Sequence, residues 1–448
     1  MKLTFHGGAQ SVTGANHLLE TETTRVLIDC GMMQGGAFCD KHNSDDFVYD
    51  PSTIDALIVT HAHIDHTGRI PKLVRDGFKG KIYSTQPTKD FAAIMLEDSL
   101  GVLEKESKRR GEEPFYEIAD VERALSLWEG RNYEESFMIG DMRIVFHDAG
   151  HILGSLMAEI HHDDKRLLFT GDLGNTPNPL LPPYKLPKDI THLIIESVYG
   201  DRNHEDHKLR KGKLENAIED IVDRKGVLII PAFALERTQE LLFEMNELVE
   251  NGRIPSVPVF IDSPLAIKAT KIYRKYRKYY NKEAKKIMLG GDDLFNFPNL
   301  KFTLKTDESK AIKVVPSPKV ITAGSGMMNG GRITHHALNY LGDKNNMILF
   351  VGYTAGGSPG RRIQEGAKKM TFHGQEVNVR AEIRHVDGYS AHADHDALME
   401  FTNATRETLK HVYVVQGEPK SSMFLAQRIK DYLGVEASAP KINKSVTL

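Results

Sequence analysis

The feature that most constrains this chain is a group of four potential metal ligands within six residues. His61, His63, Asp65 and His66 directly follow a short apolar run, 56–60, that is typical of a buried strand. Imidazole nitrogen and carboxylate oxygen suit zinc, and a loop leaving a strand can fold such closely spaced ligands around metal. His61 and His63 can point to one ion while Asp65 and His66 turn toward a second. The pattern predicts a metal site at a strand end.

Two later residues fit the same design. His151 lies between two predicted strands, and Asp172 follows another, in a Gly-Asp-Leu-Gly turn. Either residue alone is more often structural, because a single His is usually hydrogen-bonded in the core and Gly-Asp is a common turn. Their order after the first motif changes that balance. A carboxylate can bridge two metals, so Asp172 is the natural bridge, and two metals roughly 3.5–4 Å apart can activate a water and steady a phosphate.

Other histidines do not fit this pattern. The run 161–164, His-His-Asp-Asp, resembles a metal motif but lies between two predicted strands, so we interpret it as a hairpin turn. His147, His335, His336 and His385 are interpreted as structural.

The predicted elements change character twice along the 448 residues, a length suited to two or three domains. Short strands dominate 1–204, strands and helices alternate over 205–368, and β-rich character returns over 369–448. Strands that end in turns bearing His and Asp predict a β-sandwich flanked by helices, an αββα arrangement, while alternation predicts a mostly parallel sheet. The expected fold is therefore an α/β sandwich interrupted by an inserted parallel-sheet domain.

Composition limits the setting in which the chain works. A net charge of −3 argues against binding nucleic acid by bulk charge, although a locally basic groove is compatible with it. Cys30 and Cys39 form neither a disulfide framework nor a Cys-based zinc site, which favours a reducing compartment. The first residues lack a signal-peptide core, and no apolar run is long enough to span a bilayer. We expect a cytoplasmic protein without a membrane partner.

Taken together, these motifs resemble the metallo-β-lactamase superfamily. The resemblance is to its β-CASP branch of nucleases, which includes the nuclease subunit of the cleavage and polyadenylation specificity factor, its bacterial and archaeal relatives, and RNase J. It covers essentially the whole chain, in the order Asp29, 61–66, His151, Asp172, Glu196 and His392, with further similarity at 321–328 and 352–357.

The resemblance implies a role for each matching residue. His61, His63 and His151 would hold one zinc, Asp65 and His66 a second, with Asp172 bridging. Asp29 would orient ligands of the metal loop, as outer hydrogen-bond partners of metal ligands do. Asp65, His392 and Glu196 form the implied catalytic set, in which His392 is the general acid and Glu196 orients it.

One position departs from the family pattern. The last motif places a His before Gly-Glu as the final ligand of the second zinc, and this chain has Gln416 there. A neutral amide oxygen is a poorer zinc ligand than imidazole. His411 is not a replacement, because residues 411 and 416 point to opposite faces of a strand. The second metal is therefore expected to bind weakly or with an extra water. Whether Gln416 is natural or engineered stays open.

The implied substrate is single-stranded RNA, cut to leave 5′-phosphate and 3′-hydroxyl ends. Two Gly-rich segments of the inserted domain are the expected phosphate contacts: Ser325 with Gly326, and Gly356 and Gly357 with Arg361 and Arg362. The run 268–286 mixes Lys and Arg with four tyrosines. Charge and stacking could bind single strands there, but we favour tyrosines packed inward with the charges in solvent.

Several alternatives stay open at this point. A small-ester or thioester hydrolase is a second enzymatic reading, against which the large insertion and His392 count. A catalytically impaired RNA-binding or scaffold subunit is a third, and Gln416 gives it some weight. DNA stays an alternative substrate because nothing in the sequence visibly reads a 2′-hydroxyl. The cleavage mode, endonucleolytic or 5′-to-3′ exonucleolytic, and the oligomeric state, a homodimer among the options, are also open.

Overall fold

The β-rich first stretch folds into short strands separated by four helices. This computed structural model describes residues 1–34, 42–354 and 356–448, so Cys39 lies outside the described residues. The strands are β1 Lys2–Gly7, β2 Asn16–Glu20, β3 Arg25–Ile28, β4 Ala56–Ile58, β5 Lys81–Thr85, β6 Trp128–Arg131, β7 Ser136–Ile139, β8 Met142–Asp148, β9 Leu156–His162, β10 Lys165–Phe169 and β11 His192–Ile195. The helices are α1 Ile64–Thr67, α2 Ile70–Arg75, α3 Gln86–Arg110 and α4 Ile118–Ser126, and Pro51–Thr53 is a 3₁₀ turn.

The middle stretch alternates strands and helices, as its sequence predicts. Its strands are β12 Val227–Pro231, β13 Val259–Ile261, β14 Leu300–Phe302, β15 Lys319–Ala323, β16 Met347–Phe350, β17 Lys369–Phe372, β18 Gln375–Asn378 and β19 Glu382–His385. Its helices are α5 Lys208–Arg224, α6 Arg237–Glu250, α7 Pro264–Lys275, α8 Lys282–Leu289, α9 Thr306–Ala311, α10 Arg332–Tyr340 and α11 Pro359–Gln364. The 3₁₀ turns are Arg277–Tyr279, Ile312–Val314 and Asp387–Tyr389.

The last stretch returns to mixed elements. Its strands are β20 His411–Val414, β21 Ala437–Ser438 and β22 Lys444–Thr447, and its helices are α12 His395–Thr405 and α13 Pro419–Arg428, the latter followed by a π-helical turn, Ile429–Leu433.

These elements form two compact units. The host unit contains Met1–Asn178, Pro183–Asn203 and His392–Leu448, and the inserted unit contains Pro179–Pro182 and His204–Ala391. The sequence predicts domain boundaries at 204/205 and 368/369. In the structure the inserted unit continues to Ala391, so its second boundary lies later than predicted. The reason is β19, a short, half-buried strand that pairs in parallel with β16 and so extends the sheet of the inserted unit.

The host unit is a sandwich of two mixed sheets. One has the strand order β22-β1-β2-β3-β4-β5-β6 and the other β21-β20-β11-β10-β9-β8-β7. Apolar residues of both sheets share one core, with Phe5 and Ile58 from the first and Phe146 and Phe169 from the second. The outer face of the second sheet packs against α12 and α13 through Phe401 and other apolar side chains. Strands alternate their side chains between two faces, so both faces of this sheet are apolar.

The inserted unit contains a parallel sheet with the order β14-β13-β15-β12-β16-β19, beside the small β17–β18 hairpin. Buried side chains of β12, β15 and β16 pack against α10 and α11 in one apolar cluster. The fold expected from the sequence, an αββα sandwich with an inserted parallel-sheet domain, is confirmed.

Candidate metal centre

The first motif sits where β4 ends and α1 begins. His61 and His63 lie in the connecting loop, His63 being the residue before the helix, while Asp65 and His66 lie in the single turn of α1. Because the chain changes from extended to helical between the two pairs, the pairs point in different directions. This local change is what divides six consecutive residues between two groups of ligands.

Four donor atoms converge within 4.8 Å of one another, from His61, His63, His151 and Asp172. His61 Nε2 lies 3.0 Å from His63 Nδ1, and His151 Nε2 lies 3.4 Å from the same nitrogen. His61, His151 and Asp172 are buried, and His63 is half-buried. Three imidazoles and a carboxylate in a buried cluster are a donor set that fits a divalent metal.

Asp172 lies between the two groups of ligands. Its Oδ2 is 3.4 Å from His61 Nε2 and 3.6 Å from His151 Nε2. Its Oδ1 is 3.4 Å from His66 Nε2. His66 Nε2 is also 3.9 Å from Asp65 Oδ2. Each carboxylate oxygen of Asp172 therefore faces one group, the arrangement that a bridging ligand needs.

The side chain of Gln416 lies against the second group of ligands. Its amide nitrogen lies 2.9 Å from Asp172 Oδ1, to which it donates, and 2.9 Å from His66 Nε2. Its backbone is fixed, since its N–H donates to the Gly8 carbonyl at 2.6 Å. The residue that replaces the motif histidine therefore turns a hydrogen-bond donor toward the two ligands, where an imidazole would offer an electron pair.

Asp29 anchors this group from behind. Its carboxylate accepts hydrogen bonds from the backbone N–H and the hydroxyl of Thr60, both at 2.8 Å, and lies 2.7 Å from His66 Nδ1. A bond from Nδ1–H to Asp29 fixes the ring so that Nε2 of His66 faces Asp172, as the nitrogen that would hold a metal once its proton has left. Thr60 is not among the site residues predicted from the sequence, although a hydroxyl residue directly before the His-x-His motif is a usable signal.

The backbone beside the motif is packed too closely for most side chains. A Cβ added to Gly31 would lie 1.6 Å from the carbonyl oxygen of Asp65. Cys30 N–H donates to the His66 carbonyl and Met32 N–H to the Ile64 carbonyl, both at 2.9 Å. Glycine at 31 lets the end of β3 hydrogen-bond directly to α1, which holds Asp65 and His66 in place.

His392 and Glu196 form a pair beside Asp172. His392 Nδ1 is 3.3 Å from Glu196 Oε1 and 3.8 Å from Asp172 Oδ2. Glu196 Oε1 accepts the Leu173 N–H at 2.6 Å, and Leu173 in turn accepts the N–H of Ala393 at 2.8 Å. The turn that presents Asp172 therefore also positions the His392–Glu196 pair.

The buried charges shift the ionisation of these groups. Burial lowers the pKa of His61 well below its usual value. Burial alone would also lower the pKa of His66, but the Asp172 and Asp29 carboxylates outweigh it and raise that pKa. For His392, burial again opposes the charged form, yet Glu196 and Asp172 raise the pKa to about 9. Burial therefore favours the neutral form of His61, which has an electron pair for a metal, whereas the neighbouring carboxylates favour the protonated forms of His66 and His392.

A small internal cavity lies behind Gln416. It measures about 10 Å³, close to the space one water needs, and its lining includes His17, Asp29, Thr60 and Gln416. His17 is buried, and neither of its ring nitrogens has a hydrogen-bond partner among the described residues. Burial lowers the pKa of His17 to about 3, so the ring is neutral.

The two expected phosphate segments lie together in the inserted unit. Ser325 and Gly326 follow β15, and Gly326 is packed against Phe233, whose ring lies 2.8 Å from where a Cβ would be. The N–H of Gly360 in α11 donates to the Met327 carbonyl at 3.0 Å, which joins this loop to the segment with Gly356, Gly357, Arg361 and Arg362. Arg361 forms an exposed ion pair with Glu365, at 2.7 Å. The backbone N–H of Ser325 already donates to the Gly330 carbonyl, so that N–H is not free for a phosphate.

The histidines interpreted as structural have contacts of their own. His161 and His162 end β9, with Asp163 and Asp164 forming the turn to β10. The remaining four are held as follows: His147 by Glu159 at 2.7 Å, His335 stacked on His373, His336 by Asp262 at 2.7 Å, and His385 on the surface 3.9 Å from Asp387.

Comparisons with known proteins decide the family. The model for the metallo-beta-lactamase superfamily matches residues 14–232, the Beta-Casp domain model matches 238–363, and the model for the Zn-dependent metallo-hydrolase RNA specificity domain matches 376–440. Ribonuclease TTHA0252 of Thermus thermophilus is 34% identical over 446 residues, which cover 100% of both chains. This chain belongs to the β-CASP branch of the metallo-β-lactamase superfamily.

Other relatives agree with that assignment. An RNase J-like protein of Methanocaldococcus jannaschii is 32% identical over 98% of this chain and 97% of its own length. The transcription termination factor FttA of Methanosarcina mazei is 33% identical over 98% of this chain and 70% of its own. A crystal structure of a protein of unknown function from Enterococcus faecalis V583 shares the fold, with a TM-score of 0.56 at 12% identity over 100% of this chain and 99% of that one.

As a member of this β-CASP family, the protein is a metal-dependent hydrolase that uses a divalent metal and acts on RNA. The helices that the structure describes include none with the length and apolar character needed to cross a bilayer.

Proposed function

We propose that this β-CASP protein is a zinc-dependent ribonuclease that hydrolyses phosphodiester bonds in single-stranded RNA. The observation that carries the proposal is the position of His392, whose Nδ1 lies 3.3 Å from Glu196 Oε1 and 3.8 Å from Asp172 Oδ2, beside the ligand cluster. A hydrolase of small esters does not need a general acid such as His392 at this position. The names of two full-length relatives, a ribonuclease and an RNase J-like protein, support the same substrate.

We propose that the site holds two zinc ions. We assign His61, His63 and His151 to the first, Asp65 and His66 to the second, and Asp172 to both, because its two oxygens face the two groups separately. Nitrogen-rich donor sets of this kind favour zinc over magnesium or calcium. Bound divalent metal supplies Lewis-acid chemistry, activating water and offsetting charge on a phosphate.

The chain's own groups do the remaining work. In the proposed step water attacks phosphorus and releases one proton to solvent. The bond from phosphorus to the 3′ oxygen breaks, and His392 gives its proton to that oxygen. Glu196, fixed by the Leu173 N–H, keeps the imidazolium oriented during this transfer. The proposed products therefore carry 5′-phosphate and 3′-hydroxyl ends.

Gln416 favours a second candidate, an RNA-binding protein with weak or absent cleavage. Its amide donates to Asp172 and contacts His66, so it competes with the second metal for those ligands. Some relatives are named transcription termination factors, and these names support a role for this second candidate in binding RNA during transcription. We rank it second because the other expected metal ligands are all present and brought together.

The deciding experiment uses RNA labelled at either end, with the zinc-loaded protein, its Asp65→Ala variant and its Gln416→His variant. We expect cleavage by the unmodified protein and none by Asp65→Ala, and the label pattern separates internal cuts from trimming at the 5′ end. Single-stranded DNA of the same sequence tests the alternative substrate. Bound zinc is measured on the same samples, and we expect Gln416→His to bind a second zinc more tightly.

The outcomes separate the two candidates. An inactive unmodified protein beside an active Gln416→His variant identifies position 416 as the cause and supports the RNA-binding candidate. If both hold two zincs and neither cuts RNA, the ribonuclease proposal is wrong.

We also propose a cytoplasmic location, which the buried free thiol of Cys30 supports, since secreted proteins usually pair their cysteines.

A further inference from the structure

The most basic part of the chain lies in the inserted unit, in α7, the 3₁₀ turn that follows it, and α8. Residues 264–291 contain a single acidic residue, Glu283, in a chain with 58 basic and 61 acidic residues. The basic residues in this segment are Lys268, Lys271, Arg274, Lys275, Arg277, Lys278, Lys282, Lys285 and Lys286. The positive charge is therefore concentrated locally and does not follow from composition.

Packing turns these charges outward. Tyr273, Tyr276 and Tyr280 are buried, as the sequence interpretation favoured. The inner face of α7 is held by Gln239 of α6, whose amide donates to the Thr270 hydroxyl at 3.0 Å. Lys268, Lys271 and Lys275, at i, i+3 and i+7, are exposed and share the opposite face of α7.

The same outward pattern continues in the 3₁₀ turn and in α8. The exposed lysines are Lys278 in the turn and Lys282, Lys285 and Lys286 in the helix. The start of α8 is fixed, because the Asn281 side chain caps the helix at Ala284 N–H, at 2.8 Å. Its amide also donates to the Pro179 carbonyl at 3.1 Å. These lysines therefore project from elements whose junction is fixed by hydrogen bonds, and we call the surface formed by Lys271, Lys278, Lys282, Lys285 and Lys286 the basic face.

The chemistry of the basic face selects a polyanion with a repeating charge. Lysine is a strongly hydrated point charge that contacts phosphates without reading bases. Arg274 is not part of it, since it pairs with Asp293 at 2.8 Å. The ring of Tyr279 has the Lys278 ammonium 5.2 Å from its centre, so charge and not base stacking dominates here.

We propose that the basic face binds the phosphate backbone of RNA and contributes to the affinity of this protein for RNA. The proposal rests on the RNA substrate proposed above and adds a binding surface built from residues other than those assigned to metal, catalysis or the Gly-rich segments. It predicts binding that is insensitive to sequence and strongly salt-dependent.

The test compares two variants with equal charge changes. One carries Lys271→Gln, Lys278→Gln, Lys282→Gln and Lys285→Gln. The control removes four exposed lysines elsewhere in the same unit, with Lys310→Gln, Lys313→Gln, Lys344→Gln and Lys368→Gln. Far-UV circular dichroism and thermal unfolding establish that both are folded. Binding of two single-stranded RNAs of equal length and unrelated sequence is measured by fluorescence anisotropy over a KCl series, with a chelator present so that nothing is cut.

For a single strand, the slope of log K against log salt changes by about 0.7 per phosphate contact, so losing four contacts reduces it by roughly 3. We expect that reduction in the first variant only, and of equal size for both RNAs. Equal slopes in both variants and the unmodified protein overturn the proposal. So does a variant that keeps its RNA slope but loses binding to polyglutamate, which would identify an acidic protein as the partner. Because no cleavage is measured, an inactive protein would refute the ribonuclease proposal and leave this one standing.

Discussion

Asp29 offers the sharpest test of how the second group of ligands is held. In Asp29→Asn one amide oxygen can still accept the Thr60 N–H, but the amide NH₂ replaces the oxygen that lies 2.7 Å from His66 Nδ1. His66 must then accept a hydrogen bond at Nδ1 and carry its proton on Nε2. That nitrogen faces Asp172, 3.4 Å away, and once protonated it has no electron pair for a metal.

The expected cost follows from this change of tautomer. Loss of an outer hydrogen-bond partner of a metal ligand typically weakens metal binding by about 10- to 100-fold, or about 1.4 to 2.7 kcal/mol. We expect Asp29→Asn to fall in this range for the zinc held by His66, with the zinc of the His61 group less affected. The two groups share Asp172, so the second effect is not zero.

Two measurements check the reasoning. Competition with a chromophoric chelator at fixed pH gives the zinc affinities. ¹⁵N NMR of the metal-free protein, at a pH above the raised pKa of His66, reports which ring nitrogen keeps its proton. Asp163→Asn is the control, because Asp163 is exposed in the turn after β9 and has a positive φ that Asn tolerates. Unchanged affinity together with a proton moved to Nε2 would refute the argument, as would weakened binding with the proton still on Nδ1.

Two further predictions concern the stability of the host unit, followed through the fluorescence of Trp128, the single tryptophan. Gly31→Ala places a Cβ 1.6 Å from the Asp65 carbonyl oxygen, so we expect it to destabilise by about 3 kcal/mol or more and to weaken zinc binding. Gly101→Ala, with open space at its Cβ, should be neutral or stabilising, and equal effects of the two would contradict this account. Burial opposes ionisation of Glu159, but hydrogen bonds from neighbouring histidine and arginine side chains lower its pKa from 4.5 to about 2. A lowered pKa stabilises the fold above the unfolded-state pKa, so Glu159→Gln should cost about 3 kcal/mol at pH 7. That cost should shrink as pH falls below about 4.5, and a cost independent of pH in urea unfolding would argue against an ionic origin.

The sequence was most informative where chemistry is local. The ligands at 61–66 are consecutive, so their type and spacing predict a metal site before any fold is known, and the strands around them have the apolar runs of buried strands. β19 shows the opposite case. It is four residues long and half-buried, so only its pairing with β16 assigns it to the inserted unit.

The directions in which the Gln416 and Thr60 side chains point could not be predicted from the sequence. The family pattern marks Gln416 as a departure, but that its amide nitrogen would face both Asp172 and His66 depends on the backbone bond to Gly8. Thr60 is similar, because its two hydrogen bonds to Asp29 connect residues far apart in the chain. Contacts of this kind are tertiary, and no local pattern encodes them.

The discontinuous host unit has a consequence for biosynthesis. Synthesis delivers His61, His151 and Asp172 well before His392 and Gln416, and the whole inserted unit emerges from the ribosome in between. Until β20 is made, β11 has no neighbour on one side, and its buried Leu-Ile-Ile run exposes an unpaired edge. Such an edge is a template for aggregation. Nascent chains stalled before residue 411 should therefore be the form of this protein most dependent on chaperones.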